Sequence, residues 1–237
     1  MNLFLKQLIC YIKNRRLEKR HFRGSIMEYW HNRWFTEQTG WHRDIFNDLL
    51  IKHWPSINAP SGGQVMVPLC GKSLDMIWLA KQGYNVVGLE MVEQAVQAFF
   101  DENKLETNLT ELENHIKHTS SPFTIFQGDF FDLDAGVVQA DAWYDRAAMV
   151  ALPNSLREDY VKQIYNQTKL GAVGLLITYA YPQEQMDGPP FALHDEDVLH
   201  FFADGFEVEC LEKIDLEDEK DRGLSKVTST VFKITRT

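Results

Sequence analysis

Two hydrophobic periods alternate along this chain. Val65, Met66, Val67 and Leu69 form a short apolar run, as expected of a parallel strand covered on both faces. Gly71 breaks it. From Leu74 the apolar residues Leu74, Ile77, Trp78 and Leu79, with Ala80, recur at helical spacing, and Gly83 stands where a helix ends. Val86, Val87 and Leu89 make a second strand that closes on Glu90. The stretch from Val65 to Glu90 is thus one βαβ unit. The pattern predicts a helix before it, over Ile45 to Trp54, with Pro55, Pro60 and Gly62-Gly63 turning the chain into the first strand. After it come a helix over Glu93 to Asn103, a strand over Phe123 to Phe126 and a strand over Ala140 to Tyr144. A helix over Pro153 to Thr168, a strand over Val173 to Tyr179 and a helix over Asp195 to Phe202 follow. Two last strands are expected at Phe206 to Leu211 and Val227 to Thr235, the latter setting Val227, Ser229, Val231 and Lys233 against Thr228, Thr230, Phe232 and Ile234. Asn103 to Pro122 is polar, with Leu105, Leu109, Leu112 and Ile116 spaced as a weak helix, and carries no assigned chemistry. Strands alternating with helices predict an α/β fold.

Glu90 stands 19 residues after Gly71. At that distance an acidic residue on a strand tip meets the ribose hydroxyls of an adenosine lying across the first βα turn. The loop itself narrows the choice of cofactor. Pro68, Leu69, Cys70, Gly71, Lys72 and Ser73 hold one glycine, where a dinucleotide fold needs three to close its backbone on a pyrophosphate. A phosphate-cradling loop needs glycine five residues before the Gly-Lys-Ser, and Met66 is there. A cofactor without pyrophosphate, such as S-adenosylmethionine, suits this loop. The other reading is an ordinary βαβ unit with a chance carboxylate.

The string VPLCGKSLDMIWLAKQG followed by VGLE resembles the first motif of the thiopurine S-methyltransferase family, bacterial type. The resemblance extends from Met27 to about Thr237 through YWHNRW (Tyr29–Trp34), HWP, EQAVQAFF, GDFFDL (Gly128–Leu133), YDRAAMVALP (Tyr144–Pro153), LLITYAYPQ and GPPF (Gly188–Phe191). It implies a single-domain class I methyltransferase fold, Rossmann-like, whose seven-stranded, mostly parallel sheet carries helices on both faces and has one antiparallel strand. Residues 27–237 would form that domain, using S-adenosylmethionine as cofactor. The implied cofactor contacts are Trp34, Leu69, Gly71, Glu90, Asp129, Phe130 and Arg146, with Asp129 accepting the adenine amino group and Phe130 stacking on the ring. Arg146 is also the implied catalytic residue, since a guanidinium beside the acceptor favours a thiolate. Trp41, His42 and Phe191 would line the acceptor pocket, and Trp41 departs from the Gly-Phe-His usual in bacterial relatives, narrowing that pocket.

Each assignment has a structural alternative. Trp30 and Trp34 can simply pack a helix, Asp129 can cap a turn, Asp145 can be the salt-bridge partner of Arg146, and Phe191 can belong to a plain loop. Cys70 as a nucleophile lacks a marked base. His31 and His42 are candidate proton acceptors, although a thiol or selenol that ionises near neutral pH needs little base. The resulting expectation is methyl transfer by direct displacement onto the sulfur of a thiopurine or another aromatic or heterocyclic thiol. The alternatives are selenium or tellurium acceptors, a nucleotide-dependent oxidoreductase or NTPase on a degenerate loop, and a non-catalytic adenosine-cofactor-binding protein.

Composition supports a buried core and small-molecule partners. The 237 residues are 44% hydrophobic and 12% aromatic, with a net charge of -10 that disfavours a general nucleic-acid binder. Three widely spaced cysteines, Cys10, Cys70 and Cys210, form no metal or disulfide pattern and suit a reducing cytoplasm. Nothing demands more than a monomer. Residues 1–26 differ from the rest: seven basic residues against Glu18 give +6, leaving -16 for the remainder. Their apolar patch, Leu3 to Ile12, is too short and charged to span a membrane, and its basic block follows rather than precedes it, unlike a signal peptide. Three readings stand: a membrane-surface or partner-binding helix, a disordered basic arm, or an extension upstream of the true start. The favoured expectation is a flexible basic extension without catalytic part, with Met27 as an open alternative start.

Overall fold

The computed structural model describes residues 23–217 and 223–237. The apolar patch and most of the basic block expected at the N-terminus lie outside the described residues. The chain divides into two compact units, Met1–Gln38 and Thr39–Thr237. In the first, residues 23–35 form helix α1. Its aromatic side chains pack on one another: Tyr29 and Trp30 meet edge to face at 5.1 Å. The Arg33 guanidinium lies 5.3 Å from the Tyr29 ring centre and its Nε donates to the Tyr29 hydroxyl at 3.0 Å.

The second unit is a nine-stranded sheet with helices. In chain order it runs α2 (Asp48–His53), β1 (Gln64–Pro68), α3 (Leu74–Lys81), β2 (Asn85–Glu90), α4 (Glu93–Glu102), β3 (Asn108–Glu111), β4 (Ile116–Ser120) and β5 (Phe123–Gln127). Then follow β6 (Ala140–Arg146), α5 (Asn154–Gln167), β7 (Thr168–Ile177), α6 (Asp195–Phe201), β8 (Phe206–Asp215) and β9 (Thr228–Arg236). Across the sheet the order is β3-β4-β5-β2-β1-β6-β7-β9-β8. Strands β5, β2, β1, β6 and β7 are parallel, and β9 runs against both of its neighbours. The seven strands from β5 to β8 are the expected methyltransferase sheet.

The helix expected within Asn103 to Pro122 is overturned. That stretch is the β3–β4 hairpin, paired antiparallel onto the edge at β5. Leu109 and Leu112 are 62% and 43% exposed, so their three-residue spacing marks no buried helical face. The expected Ile45–Trp54 helix is also shorter. Asn47 caps it by accepting from the N–H groups of Leu49 and Leu50, and Pro55 tightens Trp54–Ile57 into a 3₁₀ turn.

Packing across the sheet is set by absent side chains at two places. Gly174 pairs with Trp143 in register, and a Cβ there would stand 1.9 Å from the indole. The buried Trp143 ring in turn stacks on Phe202 at 5.9 Å, seating the end of α6. On β2, a Cβ at Gly88 would approach the Cys70 sulfur to 2.7 Å, so the loop after β1 lies directly on β2. Strand order reverses between β1 and β6, which run parallel: β2 and β5 extend the sheet one way, β7 the other. Ligands of open α/β sheets bind at the carboxyl ends of strands flanking such a switch point.

Candidate active site

The loop after β1 is held by the acid predicted to face it. Glu90 Oε2 accepts the Gly71 N–H at 2.9 Å and Oε1 accepts the Val92 N–H at 2.8 Å. The separation of 19 residues is therefore the length of chain that returns β2 beside Gly71. Each carboxylate oxygen has two acceptor directions, so Glu90 keeps capacity for ribose hydroxyls while holding the loop. Burial raises its pKa, opposed by the N–H groups of Val92, Gly71 and Met91. Leu69 and Gly71 both take left-handed backbone, at φ 47 and 52. Such a conformation at a leucine costs energy and persists where the surroundings impose it. Cys70 is buried, and desolvation with the Glu90 charge pushes its thiol well above the usual range. A thiolate at Cys70 is disfavoured, in line with the missing base that already argued against a nucleophile there.

Beyond β5, Gly128 donates from its N–H to the Glu90 carbonyl at 2.9 Å. Asp129 Oδ1 accepts the Phe131 N–H at 2.9 Å, the capping arrangement weighed for it above. The Phe130 ring is buried, tilted against Tyr160 at 5.4 Å and Phe131 at 5.9 Å. From α5, Gln163 Nε2 donates to the carbonyls of Phe130 and Leu133 at 2.8 and 2.7 Å.

On the other side of the switch point, Arg146 ends β6. Its Nη1 donates to the Trp41 carbonyl at 2.9 Å, which brings the catalytic candidate and a pocket candidate together. The next residue, Ala147, is left-handed at φ 77. Asp145 is not its salt-bridge partner. Neighbours on a strand face opposite ways, and the Asp145 carboxylate instead accepts the Tyr160 hydroxyl at 2.7 Å and the Ala148 N–H at 3.0 Å. Burial raises Asp145 to about 6 despite these donors. His42, beside Trp41, is lowered first by burial and then by Lys72, with Arg146 adding to this and Glu102 and Asp44 opposing. Lys72 bonds Glu102 at 2.6 Å.

Phe191 is half-buried, and its N–H donates to the Val150 carbonyl at 2.7 Å, docking the Gly-Pro-Pro-Phe loop onto the segment after β6. Buried Arg157 locks this junction. Its guanidinium donates to the carbonyls of Leu152, Ala192 and Phe191 at 3.2, 2.9 and 3.2 Å. The Tyr181 hydroxyl adds a bond to the Pro190 carbonyl at 2.5 Å. Arg157 escaped the sequence reading, although its spacing to Tyr160, Val161 and Ile164 puts it on the apolar stripe of α5. Asp75 escaped it too. Its buried carboxylate accepts the Asn47 N–H at 2.8 Å and the Tyr144 hydroxyl at 2.9 Å, tying α2 and α3 to β6. Trp34 and His31 belong to α1 in the first unit, while the other predicted site residues all lie in the second.

The donor set fits an adenosine cofactor without pyrophosphate: a buried carboxylate at the loop, a second carboxylate after β5 and one glycine in the turn. Comparison with known proteins agrees. The sequence matches the model of the family Thiopurine S-methyltransferase (TPMT) over residues 26–237. It is 42% identical over 213 residues to a thiopurine S-methyltransferase of Shewanella pealeana, covering 88% of this chain and 97% of the relative. It is 40% identical over 214 residues to that of Pseudomonas aeruginosa, covering 88% and 98%. Among solved structures, a SAM-dependent methyltransferase of Methanosarcina mazei superposes with TM-score 0.60 at 14% identity, covering 81% of this chain and 99% of that one. A Haemonchus contortus N-methyltransferase in complex with S-adenosylhomocysteine superposes with TM-score 0.57 at 10% identity, covering 78% and 52%. These structures share the fold. The chain belongs to the thiopurine S-methyltransferase family and is an S-adenosylmethionine-dependent methyltransferase.

Proposed function

We infer that this protein methylates the sulfur of a thiopurine or a similar aromatic or heterocyclic thiol, with residues 27–237 as its catalytic domain. The carrying observation is the placement of Arg146. Its guanidinium ends β6 across the switch point from the Gly71–Glu90 pair, fixed by the Trp41 carbonyl at 2.9 Å. The name of the relatives, thiopurine S-methyltransferase, supports the same acceptor class.

S-adenosylmethionine supplies an already activated methyl group on a sulfonium. The protein's part is to hold and orient. Glu90 binds the ribose hydroxyls, Leu69 and Gly71 shape the turn beside the methionine end, and Asp129 with the buried Phe130 frames the adenine. Trp34 is assigned a cofactor contact on family resemblance. Trp41, His42 and Phe191 bound the acceptor, and Arg146 favours its thiolate form. Fixed orientation of two reactants is worth on the order of 7–11 kcal/mol of barrier. This is why no nucleophile–base pair is required.

The lowered pKa of His42 leaves it neutral near pH 7, able to take up a proton from a thiol. The acidic balance of the chain, -10, supports a small-molecule rather than a nucleic-acid partner. Among the described residues no helix is long and apolar enough to cross a membrane. Cys70 and Cys210 are free thiols, which supports a cytoplasmic enzyme, and we assign it as a monomer.

The test is calorimetric titration of the protein and of Glu90→Ala with S-adenosylmethionine and S-adenosylhomocysteine, followed by methylation assays on 6-mercaptopurine and selenite. The variant is expected to bind both cofactor forms about a hundredfold more weakly, since it loses bonds to a charged acceptor and frees the Gly71 turn. Turnover of selenite without 6-mercaptopurine would replace the acceptor named here.

A further inference from the structure

The β3–β4 hairpin, expected from the sequence to carry no chemistry, sets one side chain directly against the loop after β5. His115, just before β4, is 6% exposed, and its Nε2 lies 3.0 Å from the Asp129 carbonyl oxygen. A carbonyl only accepts, so Nε2 carries the proton and donates it. The ring fits closely over the turn. Gly128 runs at φ +154, and a Cβ there would stand 2.5 Å from His115 Cδ2 and 2.8 Å from the Asn114 carbonyl. Ring and loop together fill the space a side chain at Gly128 would need.

The hairpin holds that ring in register. Ile116, the next residue, pairs with Gln127 on β5, and the Leu112 N–H donates to the His115 carbonyl at 2.8 Å. Gln163, from α5, holds the Phe130 carbonyl at 2.8 Å. The peptides on either side of the Phe130 α-carbon are thus clamped by two side chains, one from α5 and one from the hairpin. The Asp129 carboxylate projects from the clamped segment.

We propose that His115 is a positioning residue for adenine recognition. By fixing the Asp129 peptide it aims the Asp129 carboxylate at the exocyclic amine, and so sets the preference for adenine over a purine lacking that donor. The proposal rests on Asp129 as the adenine acceptor. Hypoxanthine presents a carbonyl where adenine has its amine. An aimed carboxylate then meets an acceptor with an acceptor and rejects it.

The experiment titrates the full chain, His115→Phe and His115→Gln calorimetrically with S-adenosylhomocysteine and S-inosylhomocysteine. Phenylalanine keeps a ring but cannot donate, whereas glutamine brings an amide N–H to similar reach. The unaltered protein is expected to prefer the adenosyl ligand. His115→Phe is expected to lose about five- to tenfold in adenosyl affinity, the worth of one net hydrogen bond, with inosyl affinity nearly unchanged, and His115→Gln to restore most of the preference. A hairpin acting by packing alone reverses that ranking or weakens both ligands equally, which overturns the proposal. So does a His115→Phe protein with the original preference. An unaltered protein that binds both ligands alike, or neither, removes the Asp129 reading itself and the proposal with it.

Discussion

The two halves of the site, left and right of the switch point, are built by different means. On the cofactor side, the loop after β1 is held by backbone N–H groups converging on one carboxylate, Glu90, over a chain separation of 19 residues. On the acceptor side, the loop after β6 and the Gly-Pro-Pro-Phe loop are held by side chains reaching out of α5: Arg157 donates to three carbonyls, and Tyr160 to Asp145. The first arrangement uses the proposed ribose-binding group as its own brace. The second uses side chains of α5 that are assigned no part in binding. A cofactor common to a whole fold suits the first, and an acceptor pocket that must differ between enzymes suits loops braced from behind.

Arg157→Leu should break this comparison most severely. Up to three carbonyls at the loop junction would lose their donor, and each buried acceptor left unpaired costs roughly 1–3 kcal/mol. Thermal unfolding should show a loss of about 3 kcal/mol or more. In the folded fraction, KM for the acceptor should rise about tenfold while the affinity for S-adenosylhomocysteine holds. Equal weakening of both would mean that the two halves are one mechanical unit.

Asp145→Asn tests the same brace through its charge. Buried Asp145 is raised from 3.8 to about 6. The folded protein therefore binds this proton more tightly than the unfolded chain, and between about pH 4 and 6 it holds more protons. Stability through this group falls as pH rises across that window. The span corresponds to at most about 3 kcal/mol. Asparagine does not titrate, so the variant should lack that fall. Urea unfolding at several pH values compares the two slopes, and parallel profiles would show that Asp145 titrates normally in the fold.

The same contrast explains what the sequence reveals. The Val65–Glu90 unit is legible because its strand, helix and strand are consecutive and the acid that holds the loop lies within it. Arg146 is legible only by family resemblance, and its tie to Trp41 spans 105 residues with no local pattern to announce it. Arg157 hides because arginine on an amphipathic helix ordinarily marks the solvent face; only its coincidence with Tyr160 and Ile164 places it inside. The β3–β4 hairpin is misread because an edge strand with no buried face, such as Asn108–Glu111, offers no alternation to detect. His115 therefore carries no sequence signal, since its role depends on where β5 ends.

Lys72 belongs to the loop after β1 yet acts electrostatically on His42. After burial, its charge is the largest cause of the lowered His42 pKa. Lys72→Ala removes that cation and also frees Glu102 from its 2.6 Å partner, and both changes favour protonated His42. Following the His42 imidazole by NMR, the titration should move upward in the variant, and by less at high salt, because a partly exposed pair is screened. Near pH 7 the effect on turnover should be small, a modest loss at the acidic end of the rate profile, where more His42 is charged and unable to accept a proton. If the profile shifts while the His42 titration does not, Lys72 acts on the acceptor directly. If the titration shifts and the rate does not, His42 is a lining residue, and the thiolate is supplied by Arg146 and the acceptor's own acidity.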